Sequence, residues 1–291
     1  MSEFTQMLMA GMELTLAEKT TMGVELLRTW EPKALQCDPV HGYWGCDSGG
    51  KDSGVIRQLA VLAGVKVRWH YNVTTIDPPE VCRFIRKEHP ETVFEHRPRH
   101  FFEVLSEDRG FPTRRVRWCC QEFKEGSGVG KVKITGVRHE ESDRRRVSWK
   151  LFQSWDVSRS HGDLEHTSWM CNPLVYWTSE DVWEFHRRGS IPYCSLYDEG
   201  WKRLGCVGCP MSGWKNIERD FARWPSIARA WRRAFERLWF RKRPTVMVRG
   251  KFKGRAWPGM PGIHRWEDLF EWWRKGAAGG ESDDGCQMGL W

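Results

Sequence analysis

Hydrophobic and polar residues alternate along the chain with two periods, and each change of period marks an element. Between Met12 and Leu27 apolar residues recur among Glu, Lys and Thr, which predicts a helix that Pro32 ends. From His41 onward, short β-rich runs alternate with helical ones, which predicts a parallel sheet covered by helices. Strands are predicted near Gly42–Cys46, Lys66–Asn72, Thr92–Glu95 and Lys131–Val137, and helices near Asp52–Ala63, Pro79–Glu88 and His100–Glu107.

The chain is predicted to become helical beyond Asn172. Thr178 is a good N-cap for a helix over Ser179–Arg188. A later apolar stripe repeats at alternating spacings of four and three, and Pro225 is predicted to split it into two helices. The stripe consists of Ile217, Phe221, Trp224, Ala228, Trp231, Phe235 and Leu238, while Trp266, Phe270 and Trp273 predict one last helix. The segment Val116–Gly130, which ends in glycines, is predicted to be a loop.

Composition limits the classes of protein and partner. The 291 residues include 46 Lys+Arg and 38 Asp+Glu, and the net charge of +8 suits a polyanionic partner or a pocket for phosphate and sulfate. Ten cysteines are many for a reducing compartment without metal or redox chemistry. No apolar run approaches the roughly 18 residues of a membrane span, and Met7–Met12 is too short for a secretory signal. We therefore expect a cytoplasmic protein with no membrane partner, whose cysteines serve metal or sulfur chemistry.

The hexapeptide SGGKDS, at residues 48–53, follows a predicted strand and opens a predicted helix. Glycines let the backbone approach an oxyanion, and the N–H groups of a helix N-terminus point positive potential at it. Lys51 adds a mobile charge, and the hydroxyls of Ser48 and Ser53 add donors. An ordinary Gly-rich turn is the alternative, but the whole hexapeptide in this order favours a phosphate-binding loop. Its spacing differs from that of the GxxxxGK[ST] loop.

Two close pairs of cysteines, Cys119-Cys120 and Cys206 with Cys209, supply four thiolates. Four is the number that a [4Fe–4S] cube or a tetrahedral zinc ion requires. Adjacent cysteines suit a zinc knuckle poorly, so the pattern favours iron–sulfur over zinc and over structural thiols. The flanking cations, which would stabilise thiolates, are Arg114, Arg115, Arg117, Lys124, Lys202 and Arg203.

Two groups of arginines are candidates for binding anions. The segment from Gly136 to Arg146 follows a predicted strand, and a strand end that carries several arginines is typical of a clamp for sulfate or phosphate. The second group lies opposite the apolar stripe and comprises Arg219, Arg223, Arg229, Arg232, Arg233, Arg237 and Arg241. A solvated basic surface is the alternative for both groups, and nucleic-acid contact is the functional interpretation of the second.

Six segments in order resemble the phosphoadenosine phosphosulfate reductase family of the PP-loop ATP pyrophosphatase superfamily, in which ATP adenylates an oxygen and pyrophosphate leaves. They are SGGKDS at 48–53, TTIDPPE at 74–80, RWCC at 117–120 with Lys124, GVR and ES at 136–142, NPL, WT and DVW at 172–183, and LYDEG with GCVGC at 196–209. The resemblance runs from about His41 to Gly213. It implies an α/β fold with a Rossmann-like, adenine nucleotide alpha hydrolase-like parallel sheet flanked by helices, with a helical C-terminal portion.

The resemblance also implies the site residues and the domains. The nucleotide is expected on Ser48, Gly49, Gly50, Lys51, Asp52, Ser53, Thr75, Arg138, Ser142, Arg144 and Arg145, and a [4Fe–4S] cluster on Cys119, Cys120, Cys206 and Cys209, as in adenylyl-sulfate reductases and the branch that makes phosphorothioate DNA. We expect an N-terminal helical segment over 1–38 and a PP-loop domain with the iron–sulfur site over 39–213. A basic helical region over 214–275 and a flexible tail over 276–291 would follow.

Two features of the chain point to different branches of this family. Sulfonucleotide reductases usually lack the lysine and the final serine of the loop, so Lys51 and Ser53 favour ATP as the substrate. Those reductases carry a catalytic cysteine on a mobile tail, and this chain has Cys286 near its end. The stretch from Gly276 to Cys286 spans up to about 35 Å when extended, which is enough to reach an active site. The sequence around Cys286 differs from the family's tail motif, and Asp283 and Asp284 would raise the pKa of its thiol.

Three hypotheses follow. In the first, Lys51 and Ser53 hold pyrophosphate while Asp52 orients the loop or Mg²⁺, and sulfur from a donor reaches an acceptor such as nucleic acid. In the second, Cys286 attacks adenylyl sulfate and a thioredoxin-like reductant releases sulfite. In the third, the chain is a non-catalytic module that binds nucleotide or nucleic acid. Cys46 and Cys194 stay open as alternative ligands or sulfur carriers, and an oligomer also stays open.

Overall fold

The computed structural model describes residues 13–156, 167–242, 246–248, 251–254 and 263–277. The chain divides into two compact units. Unit 1 contains the described residues up to Asn72, together with Pro79–Glu95 and Gly126–Leu204. Unit 2 contains Val73–Pro78, His96–Glu125 and the described residues from 205 onward.

Helix α1 of unit 1 covers Leu16–Cys37 and contains Pro32. The prediction that Pro32 ends this helix is therefore wrong. Proline removes only its own N–H from the helical ladder, and Leu27 and Ala34, which lie on either side of it, are both fully buried in the unit 1 core. Packing on both sides outweighs the cost of the proline. Thr15 begins the helix with a capping box, in which its side chain pairs with Glu18.

Unit 1 is built on a six-stranded sheet in the order β3-β2-β1-β4-β6-β5. The strands are β1 (Tyr43–Cys46), β2 (Val67–Asn72), β3 (Val93–Glu95), β4 (Val132–Ile134), β5 (Phe152–Asp156) and β6 (Thr167–Cys171). All neighbouring pairs are parallel except β5 with β6, so the antiparallel strand lies at the edge. Strands β1 to β4 confirm the four predicted strands, whereas β5 and β6 were not predicted.

Three helices flank this sheet at the positions where the sequence predicts them: α2 (Lys51–Ala63), α3 (Pro79–Glu88) and α7 (Ser179–Gly189). A short α6 (Asp143–Ser148) was not predicted. Thr178 caps α7 by accepting a hydrogen bond from the Asp181 N–H, as expected of its position. The core of unit 1 consists of apolar side chains from α1, α2 and the strands, including Ile56 and Leu59, together with Trp177 from the connection between β6 and α7.

The strand order creates a switch point between β1 and β4. The chain runs from β1 outward through β2 to β3, and later returns to the other side of β1 with β4. Ligands of open parallel sheets bind at such a point, beside the carboxyl ends of the strands. The two segments that leave these ends are Asp47–Gly50, which continues into α2, and Thr135–Arg138. The fold therefore brings the phosphate loop and the arginine motif to one edge.

Unit 2 consists of short helical pieces followed by longer helices. It contains α4 (Phe101–Val104) with a π-helical turn at Leu105–Arg109, α5 (Trp118–Cys120) with one at Gln121–Glu125, α8 (Trp214–Arg223), α9 (Pro225–Lys242), a two-stranded β7 (Val246–Val248) and β8 (Lys251–Gly254), and α10 (Trp266–Trp272) with a π-helical turn at Trp273–Ala277. Pro225 begins α9, which confirms the predicted split of the stripe. The loop predicted over Val116–Gly130 is wrong in its middle, because aromatic packing orders α5.

The core of unit 2 is aromatic. Trp231 and Trp273 stack with ring centroids 4.6 Å apart, and Phe101 meets Trp231 edge-on at 5.0 Å. The two stacked indoles also satisfy their N–H groups, since Trp231 donates to Val207 O over 3.0 Å and Trp273 donates to a backbone carbonyl over 2.7 Å. The predicted stripe on α8 and α9 thus supplies one side of this core.

The fold class is confirmed: a Rossmann-like, mostly parallel sheet flanked by helices, with a helical C-terminal portion. The predicted domain boundaries stay a prediction, and the tail beyond residue 277 lies outside the described residues. Among those that are described, no helix is long and apolar enough to cross a bilayer.

Candidate functional site

The phosphate loop leaves β1 through Asp47 and enters α2 at Lys51. Gly49 adopts a left-handed φ of 65°, and a Cβ at this position would lie 2.7 Å from Val81 Cγ1. Both conformation and space therefore demand glycine. The Gly49 N–H donates to Asp47 Oδ1 over 2.8 Å. Gly50 precedes the helix without a side-chain cap, so no side chain of the capping residue competes for the N-terminal N–H groups of α2.

A buried ion pair anchors the base of this loop. Arg57 Nε and Nη2 lie 3.0 Å and 2.8 Å from Asp47 Oδ2, and the hydroxyl of Thr92 lies 3.3 Å from the same oxygen. The guanidinium also packs over the ring of Trp69, 4.4 Å from its centroid. A buried carboxylate is stable only when it is paired in this way. The Asp47 side chain is therefore held in the orientation that accepts the Gly49 N–H.

Two side chains from other elements, Tyr197 and His186, and the hydroxyl of Ser53 secure the start of α2. The Lys51 N–H donates to the phenol oxygen of Tyr197 over 2.9 Å, and the Ser53 hydroxyl donates to Gly50 O over 2.7 Å. The ring of His186 lies 2.7 Å from Lys51 O through Nε2. Burial raises the pKa of Tyr197, so the phenol stays neutral and keeps a proton to donate. Helix α2 has 13 residues, long enough to present a positive N-terminus to an anion.

Lys51, Asp52 and Arg138 form a chain of charges at this edge. Lys51 Nζ lies 2.9 Å from Asp52 Oδ2, and Arg138 Nε lies 2.8 Å from Asp52 Oδ1. The Lys51 side chain is 7 % exposed, and burial lowers its pKa although the Asp52 carboxylate acts in the opposite direction. Two cations thus converge on the Asp52 carboxylate at the start of α2, where a phosphate could take over their donors.

Arg138 has a buried donor that no described residue satisfies. Its Nε is close to Asp52, but the angle is unsuitable and the atom has no hydrogen-bond partner in the described part of the chain. Nη1 is held by Glu140 Oε2 over 2.6 Å. Burial raises the pKa of Glu140, but hydrogen bonds from Ser179 and Arg138 hold it below its usual range. A Cβ on Gly136 would lie 2.9 Å from Asp52 Cβ, so glycine permits this close approach.

The other predicted arginine-motif residues lie in the next turn. Ser142 caps α6 by accepting from the Arg145 N–H over 3.2 Å. Arg145 pairs with Glu141, and Arg144 is exposed. The structure gives Arg144 no ion pair with the loop among the described residues. Their role in binding stays a prediction.

Thr75 belongs to unit 2, whereas the phosphate loop belongs to unit 1. Its φ is 64°, which is strained for a β-branched residue, and its hydroxyl accepts from the Phe101 N–H over 3.0 Å. This contact supports the backbone of unit 2. Its contact with a nucleotide stays a prediction.

The four predicted cluster ligands all lie in unit 2. Cys119 and Cys120 lie on α5, Cys206 begins a turn, and Cys209 precedes a 3₁₀ turn at Pro210–Ser212. Helices α8 and α9 brace the turn between Cys206 and Cys209. The Gly208 N–H donates to Oδ2 of Asp220 on α8 over 3.2 Å, and Trp231 on α9 donates to Val207 O. The Cys206 thiol lies 3.5 Å from the Thr74 hydroxyl.

Cysteines of this group and the neighbouring cations Arg117 and Lys124 shift one another's pKa values. A hydrogen bond from Cys119 and the Arg117 guanidinium, 3.2 Å from Cys120 Sγ, lower the pKa of the Cys120 thiol. The hydrogen bond with Cys120 and burial raise the pKa of Cys119, burial raises the pKa of Cys209, and the charge of Cys206 raises the pKa of Lys124. The surroundings therefore favour the thiolate of Cys120 and the protonated forms of Cys119 and Cys209.

The donor set fits a [4Fe–4S] cluster in kind and number. Four thiols lie in one unit beside cations, which offset the negative charge of a thiolate-bound cluster. Among the described residues, no group of three or more His, Cys, Asp or Glu side chains is placed to hold a metal ion. The cluster stays a prediction.

Cys46 and Cys194, the alternative ligands or sulfur carriers, both have raised pKa values. Burial raises the pKa of Cys46 to about 11, and burial likewise raises the pKa of Cys194, so both thiols are protonated at neutral pH. A protonated thiol is a poor nucleophile, which argues against either as a sulfur carrier, and their role as alternative ligands stays open. Cys286 lies outside the described residues.

Sequence reasoning missed the side chains that hold the site rather than bind the ligand. Tyr197 and His186 contact both sides of the Lys51 peptide, and Glu140 orients Arg138 with help from Ser179, whose N–H donates to it over 2.7 Å. Tyr197 stands in the resembling segment LYDEG, so that motif was a signal. His186 carried none, because a histidine on a helix has no spacing partner in the sequence.

A glycine loop with a buried lysine, at the switch point of a parallel sheet, defines a nucleotide-binding α/β protein. Comparison with known families agrees. Residues 44–212, more than half of the chain, match the phosphoadenosine phosphosulfate reductase domain. The chain belongs to this family of PP-loop enzymes.

The curated relatives are mostly longer than the match. An uncharacterized protein of Methanocaldococcus jannaschii is 26% identical over 202 residues, which is 62% of this chain and 40% of that protein. The chain spans 40% and 45% of the first two relatives, less than half of their length. An adenosine 5'-phosphosulfate reductase of Bacillus anthracis is 28% identical over 221 residues, covering 72% of this chain and 92% of that protein.

Among solved structures, an FMN adenylyltransferase of Candida glabrata in complex with ATP aligns with a TM-score of 0.46 at 18% identity. The alignment covers 66% of this chain and 61% of that chain.

Proposed function

We propose that the chain is an ATP-dependent enzyme that adenylates an acceptor oxygen, releases pyrophosphate and then transfers sulfur to the activated position. One observation carries this proposal. The loop at the switch point retains Lys51, buried at the N-terminus of α2, beside the unsatisfied Nε of Arg138. A leaving pyrophosphate needs such cations, whereas a sulfonucleotide substrate releases none.

The residues take separate roles in this reaction. Lys51 and the hydroxyl of Ser53 hold the pyrophosphate, and the N–H groups of α2 face its oxygens. Asp52 orients Lys51 and Arg138, to which it is paired, or contributes to a Mg²⁺ site. The acceptor oxygen attacks the α-phosphorus and loses its proton, and the bond to pyrophosphate breaks. A sulfide-level donor then displaces AMP, so that a carbon–sulfur or phosphorus–sulfur bond replaces the activated oxygen.

A [4Fe–4S] cluster held by Cys119, Cys120, Cys206 and Cys209 would supply iron-bound sulfur or electrons when bound. The chain's own contribution is to keep the thiolates charged through Arg117 and Lys124 and to brace the turn that carries Cys206 and Cys209. A cytoplasmic location belongs to the same proposal.

The test is release of radiolabelled pyrophosphate from ATP by anaerobically purified, iron-replete protein. Lys51→Ala should abolish release, and Lys87→Ala, on the exposed end of α3, is the matched control that should retain it. Iron-replete protein that neither binds ATP nor releases pyrophosphate with any acceptor, including DNA and tRNA, overturns the proposal.

A second candidate, sulfonucleotide reduction, is favoured by the Bacillus anthracis relative, of which 92% is covered. Here Cys286 would attack the sulfur of adenylyl sulfate, AMP would leave, and a thioredoxin-like dithiol would reduce the thiosulfonate and release sulfite. Cys286→Ser should then abolish sulfite formation. Full activity of that variant rules this candidate out. The non-catalytic alternative is not carried forward, since the family consists of enzymes.

A further inference from the structure

Helices α8 and α9 present a row of basic side chains to solvent. The exposed ones are Lys215, Arg219, Arg223, Arg229, Arg232, Arg233, Arg237, Arg241 and Lys242. We call these nine residues the basic face. The same stretch, residues 214–242, contains three acids, Glu218, Asp220 and Glu236, of which Asp220 is buried.

The charge of the whole protein is concentrated in this stretch. Nine cations and three acids give residues 214–242 a net charge of +6, out of +8 for all 291 residues. One tenth of the chain thus carries three quarters of the excess. A solubilising surface would intersperse both signs, whereas a one-sign field of this kind attracts a polyanion.

Three arginines of α9 form the centre of the basic face. Arg229, Arg233 and Arg237 follow one another at a spacing of four and lie on the same side of the helix. The described residues give none of the three a hydrogen bond or an ion pair from its side chain, although Glu236 is a close neighbour. Like charges at this spacing oppose helix formation, so the folded state of α9 gains nothing from them.

Unit 2 does pair its arginines elsewhere. Arg274 contacts both Glu218 and Glu271 across its guanidinium, and Arg265 pairs with Asp268 at the start of α10. The unpaired central arginines are therefore a local property of the basic face, and they are already free to bind phosphates.

The opposite side of α9 fixes the direction in which these arginines point. Trp231, Phe235 and Trp239 are buried in the aromatic core, so α9 cannot rotate without exposing them. The basic face is thus rigid. From Arg229 to Arg241 it extends about 18 Å along the helix axis.

The composition of the face indicates the form of the polyanion. Proteins that bind single strands stack successive bases on exposed aromatic rings. On α9 the only exposed aromatic residue is Phe240, and one ring does not make a stacking platform. Charge without stacking is typical of binding to the phosphate backbone of a duplex.

We propose that the basic face is a docking surface for the phosphate backbone of double-stranded DNA. This inference rests on the proposed function and deepens it, because it names the class of macromolecule that would carry the sulfur acceptor. The binding itself requires neither ATP nor a cluster, and it can be tested apart from the reaction.

The experiment is a fluorescence-anisotropy titration of the full chain with a duplex DNA of unrelated sequence at several salt concentrations. Arg233→Gln with Arg237→Gln should reduce the slope of log K against log salt by about 1.8, since each lost phosphate contact contributes about 0.9. Affinity at low salt should fall by at least about tenfold. The matched control, Arg83→Gln with Lys87→Gln on α3, removes the same charge from exposed positions of unit 1 and should leave the slope unchanged.

Three results would overturn the inference. One is an unchanged slope in the α9 variant, and another is an equal loss in the α3 control. The third is binding to duplex RNA, polyglutamate or anionic vesicles that is as tight as binding to DNA. Pyrophosphate release is measured on the same samples, so failure of DNA binding with normal release rejects only this inference, whereas absent release with normal binding rejects only the proposed reaction.

Discussion

Tyr197 accepts the N–H of Lys51, a group that a bound phosphate would also use. In the free protein this hydrogen bond keeps the donor satisfied, and the neutral phenol retains a proton that it can donate to a phosphate oxygen. The same residue thus serves the loop before and after the ligand arrives. This is a positioning role, because the phenol would take no part in bond breaking.

Tyr197→Phe should reveal that role. Without the phenol oxygen the Lys51 N–H loses its acceptor, and we expect the free energy of unfolding to fall by about 1 kcal/mol. ATP should restore part of the loss, because a phosphate oxygen can take the N–H, so the stabilisation by ATP should be larger than in the unmodified protein. Urea unfolding with and without ATP measures both. Tyr193→Phe, which removes an exposed hydroxyl 3.1 Å from Asp198, is the control, and equal stabilisation by ATP in both variants would contradict the role.

Lys51 provides a pH-dependent prediction. Burial lowers its pKa below the ordinary value of about 10.4, although Asp52 offsets part of the effect. Lysine attracts phosphate only as an ammonium ion, so ATP affinity should decrease across the alkaline range below the ordinary lysine pKa. In Lys51→Arg the charge persists over this range, and the decrease should disappear even if affinity at neutral pH is lower. Calorimetric titrations across this range decide, and a constant affinity for the unmodified protein would refute the prediction.

At the scale of elements, Asp38 joins α1 to the sheet. It follows the last residue of α1, accepts the N–H of His41 over 3.0 Å and pairs with Lys131 Nζ over 3.0 Å, just before β4. Burial raises the pKa of Asp38, but the bonds from His41 and Lys131 outweigh this and lower it to about 2. The carboxylate therefore stabilises the fold above its unfolded pKa of about 3.9, and that stability is lost as pH falls towards 2.

Asp38→Asn keeps the shape and removes the charge. Because solvent screens this partly exposed pair, we expect it to lower the free energy of unfolding by about 1 kcal/mol at neutral pH, and by progressively less as the pH falls below about 4. Denaturant unfolding of both proteins at neutral pH and at a pH below about 4 measures the difference. A cost that is the same at both pH values would show that packing rather than charge is responsible.

The elements also show how far sequence patterns reach. Periodicity and turn residues predicted β1 to β4, the helices between them and the split at Pro225, because each depends on local residues. Strands β5 and β6 were missed because their pairing with each other and with β4 is a tertiary property. The prediction that Pro32 ends α1 was wrong for the same reason, since the burial of Leu27 and Ala34 outweighs the local cost of a proline in a helix.

The candidate site divides in the same way. The residues expected to touch the ligand, such as Lys51 and Arg138, stand in motifs that can be recognised in one dimension. Those that hold them, His186 and Glu140, act across 135 and 2 residues of sequence and carry no motif of their own. Geometry alone identifies such supports.

At the scale of the whole molecule, the cysteine group depends on residues beyond the predicted boundary at 213. Asp220 and Trp231 brace the turn between Cys206 and Cys209, and the core beneath α5 contains Phe235 and other side chains of α9 and α10.

A chain that ends at Gly213 should therefore fail to hold iron, although it contains all four predicted ligands. Iron and sulfide counts after anaerobic reconstitution measure this. Trp231→Phe in the full chain is the milder comparison: it removes one hydrogen bond to Val207 O, and we expect partial retention. Stoichiometric iron in the shortened chain would show that the predicted boundary is a true domain border.

The interleaving of the two units has a further consequence for biogenesis. The backbone passes from one unit to the other five times, so unit 2 is assembled from three separated segments. Cys206 follows Cys120 by 86 positions. At translation rates of about 5–20 residues per second, the first thiol pair waits about 4–17 s for the second, and longer for α9 and α10. Any metal loading that uses all four thiols therefore waits until the turn at Cys206 and Cys209 and the helices that brace it have been synthesised.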